Sequence, residues 1–398
     1  MRKISTNYRT ITLKLDKTDQ LDMLARECGR IYSKTISYVR KVHDKKGLWL
    51  DANQMQKIIT SDKLHSQTTQ AVIQKYFASL KSYFANLKTN PKAKPPHKTH
   101  KYFEVPFKES AIRVKNGFIY LSCGANNLKV IIPIPIGKTL SKIQYAEIVF
   151  DGRYYLKITT KLDDIEYKSG DKFVAVDPGE IHPLTVWDGG KGTIYNGRLL
   201  RSVKQYREKI KADYSSKIDT KKKGSNRRHE LVKSKKSKLR KLDNKIRDIE
   251  HKITRHFVET CKRDDVSTVV YGDTTHIRDS IDFRKKVNQK LHQWNFDRIR
   301  FQVAYKLAKY GINFKLIDER GTSHTCPVCG HHVNPVGRKF RCINCGFETH
   351  RDIAGSMNIY SKYQEPKVPV VASMAHATGV RFNYHLRCSD LPLRIPQL

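Results

Sequence analysis

The sequence predicts a multi-domain α/β protein with a ribonuclease H-like core, an inserted zinc ribbon, and an N-terminal β-barrel that carries a helical insertion. Three observations favour this fold class. Short strands with turn signals precede residue 170, two Cys-x2-Cys pairs lie near the C-terminus, and the elements between and around them follow the order βββαβαβα. With 398 residues, the chain is long enough for two to three such domains.

The N-terminal strands are interrupted by helices. Tyr8 to Leu15 alternates as a strand, a helical stretch follows over about residues 17–41, and a second helix begins near Ser66 with apolar residues at helical spacing. Further short strands follow from about residue 101 to 162, with hairpin signals at Asn116-Gly117 and Asp151-Gly152. We therefore expect a small β-barrel, completed by the first strand, with a helical lobe inserted into it.

The second half of the chain supplies the α/β core. Phe173 to Val176 is an apolar strand that runs into Asp177, and two more strands follow before residue 200. A basic helical stretch, a strand at Thr268 to Tyr271, a helix beginning near Phe296, a strand at Phe314 to Ile317 and a last helix near Arg351 complete the order. In a ribonuclease H-like core, the first strand lies centrally beside the fourth.

The charge of the chain indicates a polyanionic partner. Lysine and arginine number 77 against 38 acids, a net charge of +39, which favours nucleic acid first and an anionic membrane second. No run approaches the roughly 20 apolar residues of a spanning helix, and the N-terminus lacks the apolar region of a signal peptide. Eight cysteines are too few for a disulfide scaffold, so we expect a reducing, intracellular compartment.

The excess of positive charge is concentrated in residues 201–260, which hold 21 lysines and arginines against 8 acids, a net +13. The second half of this segment has apolar residues at spacings of three and four, which predicts an amphipathic helix with a cationic outer face. An ordinary solvated face is the alternative. Because the charge has one sign, we expect contacts with phosphates from Lys233, Lys235, Lys236, Lys238 and Arg240.

The four clustered cysteines have the spacing of a structural zinc ribbon. Cys326 and Cys329 form one pair, Cys342 and Cys345 form the other, and a glycine follows each pair. Four thiolates make a closed tetrahedral site for one Zn²⁺ with no position open for catalysis. A histidine could replace a ligand only if one cysteine were displaced, and the candidates are His324, His331 and His332.

Two aspartates lie where a catalytic metal site would be expected in this core. Asp177 ends the first strand, and Asp352 begins the last helix. Paired Mg²⁺ ions about 4 Å apart need several convergent carboxylates, since Mg²⁺ prefers hard oxygen ligands. Each residue also has a structural explanation, Asp177 as a turn former and Asp352 as an acid at a helix N-terminus. Their joint placement favours the metal site.

Several of these motifs resemble the TnpB family, transposon-encoded RNA-guided DNA nucleases with eukaryotic and viral relatives called Fanzor, related to the type V CRISPR effectors. The resemblance is carried by Asp177, by residues 321–325 before the cysteines, by Arg351-Asp352 and Asn358-Ile359, by His251-Lys252-Ile253, and by Leu64-His65-Ser66-Gln67 with Gln70-Ala71. It spans nearly the whole chain up to about residue 364.

The resemblance implies a domain organisation and two partners. The domains would be a wedge β-barrel (1–15 and 98–165), a helical recognition lobe (16–97), a RuvC-like nuclease domain (170–321 and 348–364), a zinc ribbon (322–347) and a C-terminal tail (365–398). It also implies a guide RNA and a double-stranded DNA target beside a short flanking motif.

The sequence departs from the family at one catalytic position. The family carries a glutamate at the end of the fourth core strand, where this chain has Gly272. Asp273 follows, but in a strand it would point to the opposite face. Glu319 at the end of the neighbouring fifth strand is the better candidate, because strands lie about 4.8 Å apart and a glycine leaves room for a long side chain to cross. We expect Asp177, Glu319 and Asp352 to be catalytic Mg²⁺ ligands, with Asp273 second to Glu319.

The leading functional hypothesis is therefore an Mg²⁺-dependent, RNA-guided DNA endonuclease that acts where the DNA is, in nucleoid or nucleus. Base pairing with the guide would choose the target, while the protein holds the heteroduplex by its backbone. One alternative is a nuclease-deficient RNA-guided protein that acts as a repressor. Another is a zinc-ribbon protein that binds nucleic acid without a guide.

Overall fold

The computed structural model describes residues 8–99, 101–124, 128–135, 140, 143–161, 166–275, 294, 296–364, 377–381 and 393–394. The chain divides into two compact units, one of residues Ser5–Asp164 and one of Met1–Ile4 with Ile165–Leu398. Both units combine helices with sheets, so the predicted α/β class is confirmed. None of the helices in the described ranges combines the length and apolar character needed to span a membrane.

The first unit contains seven described strands. They are β1 (Tyr8–Leu15), β2 (Val105–Lys108), β3 (Ile112–Lys115), β4 (Phe118–Ser122), β5 (Lys129–Pro133), β6 (Ile143–Phe150) and β7 (Tyr154–Lys161). They pair antiparallel in two sheets, β1-β7-β6-β2 and β3-β4-β5, and the first strand does return to the later ones as expected. No ladder joins the two sheets within the described residues, so the strands predicted as one barrel form two sheets instead. Both sheets contribute to one apolar core.

The two predicted hairpin turns differ in form. Asn116 and Gly117 both have positive φ, 50° and 76°, as a type I′ turn requires. At the second turn Phe150 pairs with Tyr154, so the loop has three residues, and only Gly152 adopts the left-handed conformation, with φ 70°. A three-residue loop with a left-handed glycine is the next most common hairpin connection.

Three helices interrupt the strands of this unit: α1 (Asp19–Lys46), α2 (Ala52–Ile58) and α3 (Ser66–Leu87). Thr18 caps α1 by accepting a hydrogen bond from the backbone N–H of Leu21. In α3 the residues that face the core are those at helical spacing, including Val72, Tyr76 and Leu80. The short helix α2, which the sequence pattern did not predict, begins with a capping box at Asp51.

The second unit is built on one sheet. Its strands are β8 (Phe173–Asp177), β9 (Leu184–Trp187), β10 (Gly192–Asn196), β11 (Thr268–Gly272), β12 (Asn313–Ile317), β15 (Ala377–Arg381) and β16 (Leu393–Arg394), with β13 (Lys339–Arg341) and β14 (Glu348–His350) forming a separate hairpin. The order is β12-β11-β8-β9-β10-β15-β16. Strand β8 thus lies between β11, which is parallel to it, and β9, which is antiparallel. Two strands from the C-terminal tail extend the sheet beyond β10.

Four described helices accompany this sheet: α4 (Arg198–Asp219), α5 (Asn226–Arg263), α6 (Phe296–Ala308) and α7 (Arg351–Gln364). The basic stretch forms an antiparallel pair, α4 and α5, rather than one helix, and the chain turns at Gly224 with φ 85°. All buried residues of α5 lie from Ile246 onward, where the helix packs on the core. The N-terminal half of α5 packs against α4, for example through the Tyr214 and Ser234 hydroxyls at 3.0 Å.

Candidate metal centres

Asp177 ends the central strand β8, and its side chain lies against the first turns of helix α7. A Cβ atom added at Gly355 would lie 2.5 Å from Asp177 Oδ2, so only glycine allows α7 to approach the carboxylate this closely. Burial raises the pKa of Asp177 well above its ordinary value, and the negative charges of Asp352 and Glu319 raise it further. A cation beside this carboxylate would favour its ionised form.

Glu319 lies two residues beyond the end of β12, and its side chain crosses over the neighbouring strand at Gly272. Its Oε2 atom would collide with a Cβ at position 272, so the glycine is what admits the long side chain. That same oxygen is buried and has no hydrogen-bond partner within the described residues. Burial raises the pKa of Glu319 to about 7, assisted by the charges of Asp273 and Asp318.

The loop that carries Glu319 is fixed by hydrogen bonds from both sides. Thr322 Oγ1 donates to the Glu319 carbonyl at 2.7 Å, and Lys362 Nζ of α7 donates to the carbonyls of Asp318 and Arg320. Asn358 Nδ2 donates to the carbonyls of Thr322 and Thr325, at 2.6 and 2.7 Å. The Gly321-to-Thr325 and Asn358 motifs thus hold the start of the cysteine-bearing segment on α7.

Asp273 makes different contacts. Its Oδ1 atom accepts hydrogen bonds from Arg300 Nη1 at 3.0 Å and from the Thr275 backbone N–H at 3.0 Å. The largest influences on the pKa of Asp177 include Asp352 and Glu319 but not Asp273. Charge effects thus connect Asp177 with Asp352 and Glu319, and Glu319 with Asp273, whose carboxylate is engaged with Arg300.

Asp352 at the start of α7 is held by two residues that the sequence pattern did not single out. His182 Nδ1 lies 2.6 Å from Asp352 Oδ2, and Arg338 Nη1 lies 3.0 Å from each carboxylate oxygen. Burial opposes ionisation of this carboxyl, but the His182 hydrogen bond and the Arg338 charge outweigh it, so the pKa is lowered. Because the acceptor is a carboxylate, His182 is the donor.

Within the described residues, two groups of three or more potential ligands have their ligand atoms within 4.8 Å of one another. One is the cysteine quartet, and the other is His182, His350 and Asp352. In the second group, the His350 Nδ1 atom accepts the backbone N–H of Asp352 at 3.3 Å, whereas His182 is bonded to the Asp352 carboxylate. The trio Asp177, Glu319 and Asp352 is more widely spaced. The Glu319 oxygen without a hydrogen-bond partner, and the close approach of carboxylates to Gly272 and Gly355, nevertheless fit a hard cation such as Mg²⁺.

The four cysteines form a compact thiol cluster between β12 and α7. Cys326 Sγ lies 3.6 Å from Cys345 Sγ, and Cys329 Sγ lies 3.6 Å from Cys342 Sγ. Tetrahedral Zn²⁺ with Zn–S bonds of about 2.3 Å places its sulfurs about 3.8 Å apart, so the cluster fits one zinc ion. Gly330 and Gly346 follow the pairs with φ near 70° and donate their N–H groups to the Cys326 and Cys342 carbonyls. None of the three nearby histidines belongs to the cluster as described.

We expect Cys342→Ser to remove the zinc ion and to unfold the ribbon locally, because binding free energy at such a site is folding free energy. Metal analysis of freshly purified protein should give one zinc per chain for the wild type and close to none for the variant. Cys123→Ala serves as the control, since Cys123 is a buried lone cysteine in the other unit, and it should retain full zinc. Wild-type protein without stoichiometric zinc would contradict the assignment.

The predicted phosphate-contacting residues lie on the N-terminal half of α5, but not on one face. Lys233 and Lys236 are exposed, whereas Lys235 Nζ donates to Ser215 Oγ of α4 at 2.6 Å. Lys238 Nζ lies over the Tyr214 ring, 5.4 Å from its centroid. Arg240 is half-buried. Part of the predicted cationic set thus joins α5 to α4, and part of it faces solvent.

Two family models match this chain. One, described as a probable transposase, matches residues 157–278, and the other, described as a Cas12f1-like TNB domain, matches residues 296–359. The first covers β7 to just beyond β11, including Asp177. The second covers α6, the thiol cluster and most of α7, including Glu319 and Asp352.

Curated relatives match over shorter stretches. A TnpB-like protein of Methanocaldococcus jannaschii is 28% identical over 123 residues, which is 30% of this chain and 44% of the relative. The CRISPR-associated endodeoxyribonuclease Cas12f1 of Sulfoacidibacillus thermotolerans is 29% identical over 112 residues, 27% of this chain and 25% of the relative. The matches therefore span less than half the length of these curated relatives.

The fold has a counterpart among solved structures. A structure of the Cas12f1-sgRNA-target DNA complex matches 87% of this chain and 82% of its own chain, with a TM-score of 0.55 at 12% identity. At that identity the match supports the fold. The two family models and the TnpB-like relative confirm the resemblance to the TnpB family that the sequence motifs indicated.

Proposed function

We propose that the protein is an RNA-guided, Mg²⁺-dependent DNA endonuclease with a RuvC-like active site. The observation that carries the proposal is the grouping of Asp177, Glu319 and Asp352, three buried or half-buried carboxylates from separate segments of one unit. Such a grouping is electrostatically costly unless cations share it, which is why it favours a metal-dependent reaction. The strand order of the second unit, with β8 between β9 and β11, supports a ribonuclease H-like core.

Asp177, Glu319 and Asp352 would hold the metal ions. When bound, a pair of Mg²⁺ ions stabilises charge on the attacking and leaving oxygens of a phosphodiester. The chain's own contribution is placement: Gly272 and Gly355 let the carboxylates approach, and His182 with its Nδ1–H keeps the Asp352 carboxylate in one orientation. Arg338 is exposed at the rim, where its guanidinium can balance carboxylate charge or contact a phosphate.

The proposed partners are a guide RNA and a double-stranded DNA target. The net charge of +39 and the cationic α4–α5 pair would neutralise nucleic-acid backbone, while guide pairing would supply sequence specificity. The curated relative and the solved complex are named for endodeoxyribonuclease activity, guide RNA and target DNA, which supports the same assignment here. The wedge, recognition-lobe, nuclease and ribbon boundaries given above are part of this proposal.

The test is cleavage of a matched DNA target by protein purified with its own RNA. We expect copurified RNA, cleavage that needs both Mg²⁺ and a matching target, and no cleavage of a scrambled target. Guided binding without cleavage by the wild type would contradict the nuclease and favour the repressor. Target binding that does not change when the RNA is removed would favour a guide-free zinc-ribbon protein.

A further inference from the structure

Helices α5 and α6 meet along a polar seam outside the carboxylate site. Thr254 Oγ1 of α5 lies 3.0 Å from Gln302 Oε1 of α6. Lys306 Nζ of α6 donates to Thr254 Oγ1 at 2.6 Å and to the His251 carbonyl at 3.0 Å. The amine of Lys306 is thus half-buried between two helices and held by neutral oxygen acceptors, which leaves one of its three N–H groups for a further partner.

Several basic residues lie beside this seam. Arg247, His251 and Arg255 follow each other at intervals of four on α5, so they lie on one face of that helix. Across the seam, α6 contributes Lys306 and Arg298.

One acid beside this face is already neutralised, and another, Glu259, accepts a hydrogen bond from the Tyr310 hydroxyl at 3.0 Å. Glu250 is fully buried, with Arg298 Nη2 at 2.6 Å and Lys204 Nζ at 3.4 Å from its oxygens. Within the described residues, no carboxylate is paired with Arg247, Arg255 or Lys306. We call Arg247, Arg255 and Lys306 the seam cations.

Packing these groups together without a counter-ion is costly. Burial and the charge of Arg255 lower the pKa of Lys306 to about 7. Burial and the charges of Lys306, Arg247, Arg255 and Arg298 lower the pKa of His251 to about 4. An anion bound beside Lys306 would offset this cost by supplying the missing negative charge.

We propose that the seam cations bind a backbone phosphate of a nucleic-acid strand. The exposed guanidinium of Arg255 can bind the two non-bridging phosphate oxygens through two N–H groups, and the remaining N–H of Lys306 can donate to one of the same oxygens. The site takes a strand rather than a small anion because its cations continue along α5 towards the N-terminal half of the helix. This inference rests on the proposed function, and it gives the His251-Lys252-Ile253 motif a role that the carboxylate site does not.

The test is Lys306→Met, which removes the amine and keeps an apolar side chain of similar length. Binding of a short RNA oligonucleotide to the full-length protein should weaken about tenfold, since a charge-assisted hydrogen bond is lost. The slope of log affinity against log salt should fall by about one. Thermal unfolding should show a fold at least as stable as the wild type, because a desolvated amine is removed.

Lys309→Met is the matched control, since it removes the same charge from an exposed position three residues further along, and its binding and slope should stay near wild type. Arg255→Gln should weaken binding as Lys306→Met does.

A second arm measures target DNA binding by guide-loaded protein. Loss of binding in the RNA arm assigns the phosphate to the guide, and loss only in the DNA arm assigns it to the target. Unchanged affinity and slope for both Lys306→Met and Arg255→Gln in both arms would overturn the proposal. Both arms measure binding and not cleavage, so the proposal can be tested even if the protein does not cleave DNA.

Discussion

Asp177→Asn is expected to abolish DNA cleavage, with a loss of about 10³-fold or more, while guided DNA binding is retained. The substitution is nearly isosteric, but it removes a charged oxygen from the site where several kcal/mol of metal-derived stabilisation would act. Cleavage and binding should be measured on the same guide-loaded preparation, so that loss of the guide is not mistaken for loss of cleavage. Asp352→Ala should give the same separation of cleavage from binding.

The Asp177 variant also has a stability signature that distinguishes a missing ligand from a damaged fold. In Mg²⁺-free buffer at neutral pH, Asp177→Asn should unfold at a temperature equal to or above that of the wild type. The reason is that it removes a buried carboxylate that Asp352 and Glu319 repel. A variant that cleaves at the wild-type rate would contradict the metal-ligand assignment, and one that unfolds well below the wild type would contradict the electrostatic account.

The second large effect is expected at the displaced glutamate. Glu319→Gln should lose cleavage by a factor comparable to Asp177→Asn, because the buried Oε2 atom above Gly272 then becomes part of a neutral amide. Asp273→Asn is the matched comparison, an equally conservative change at the acid nearest to the family's usual position. It should keep most of the activity, since the contacts of Asp273 are with Arg300 and Thr275.

The comparison of these two variants decides which carboxylate replaces the family glutamate. Cleavage rates should be measured under single-turnover conditions at saturating guide, so that product release does not mask the chemical step. If Asp273→Asn were inert and Glu319→Gln active, the third ligand would be Asp273. Restoring the family residue, Gly272→Glu, is not a neutral control, because its side chain would occupy the space that Glu319 fills.

The strands and most helices could be predicted because their signals are local. Alternation of apolar residues gave β1 its bounds, and the apolar stripe of α6 appears as expected from Phe296 onward. The tail strands β15 and β16 could not be predicted, since each is short and takes its place by pairing with a distant strand. Similarly, whether seven strands close into one barrel or form two sheets depends on long-range ladders, which periodicity does not encode.

The candidate site also contains features with a local sequence signal and features that depend on contacts between distant segments. The cysteine spacing and the positions of Asp177 and Asp352 are signals that one short segment can carry, and Gly272 indicated where a longer side chain could cross. His182 and Arg338 gave no such signal, because their contacts with Asp352 join segments 170 and 14 residues apart. The seam cations were hidden for another reason: Lys306 reads as an exposed helix residue until the packing of α6 on α5 is known.

The pairing of the C-terminal tail with strand β10 changes which backbone groups are open at the edge of the sheet. Its outer side would be an open row of backbone N–H and C=O groups, and the parallel pairing with β15 occupies that row from Gly192 to Asn196. Chains shortened before Ala377 would present this row to one another, and an exposed edge is a template for intermolecular strand addition. The two tail strands thus cover the edge of β10, and we expect chains shortened before Ala377 to self-associate more than the full chain does.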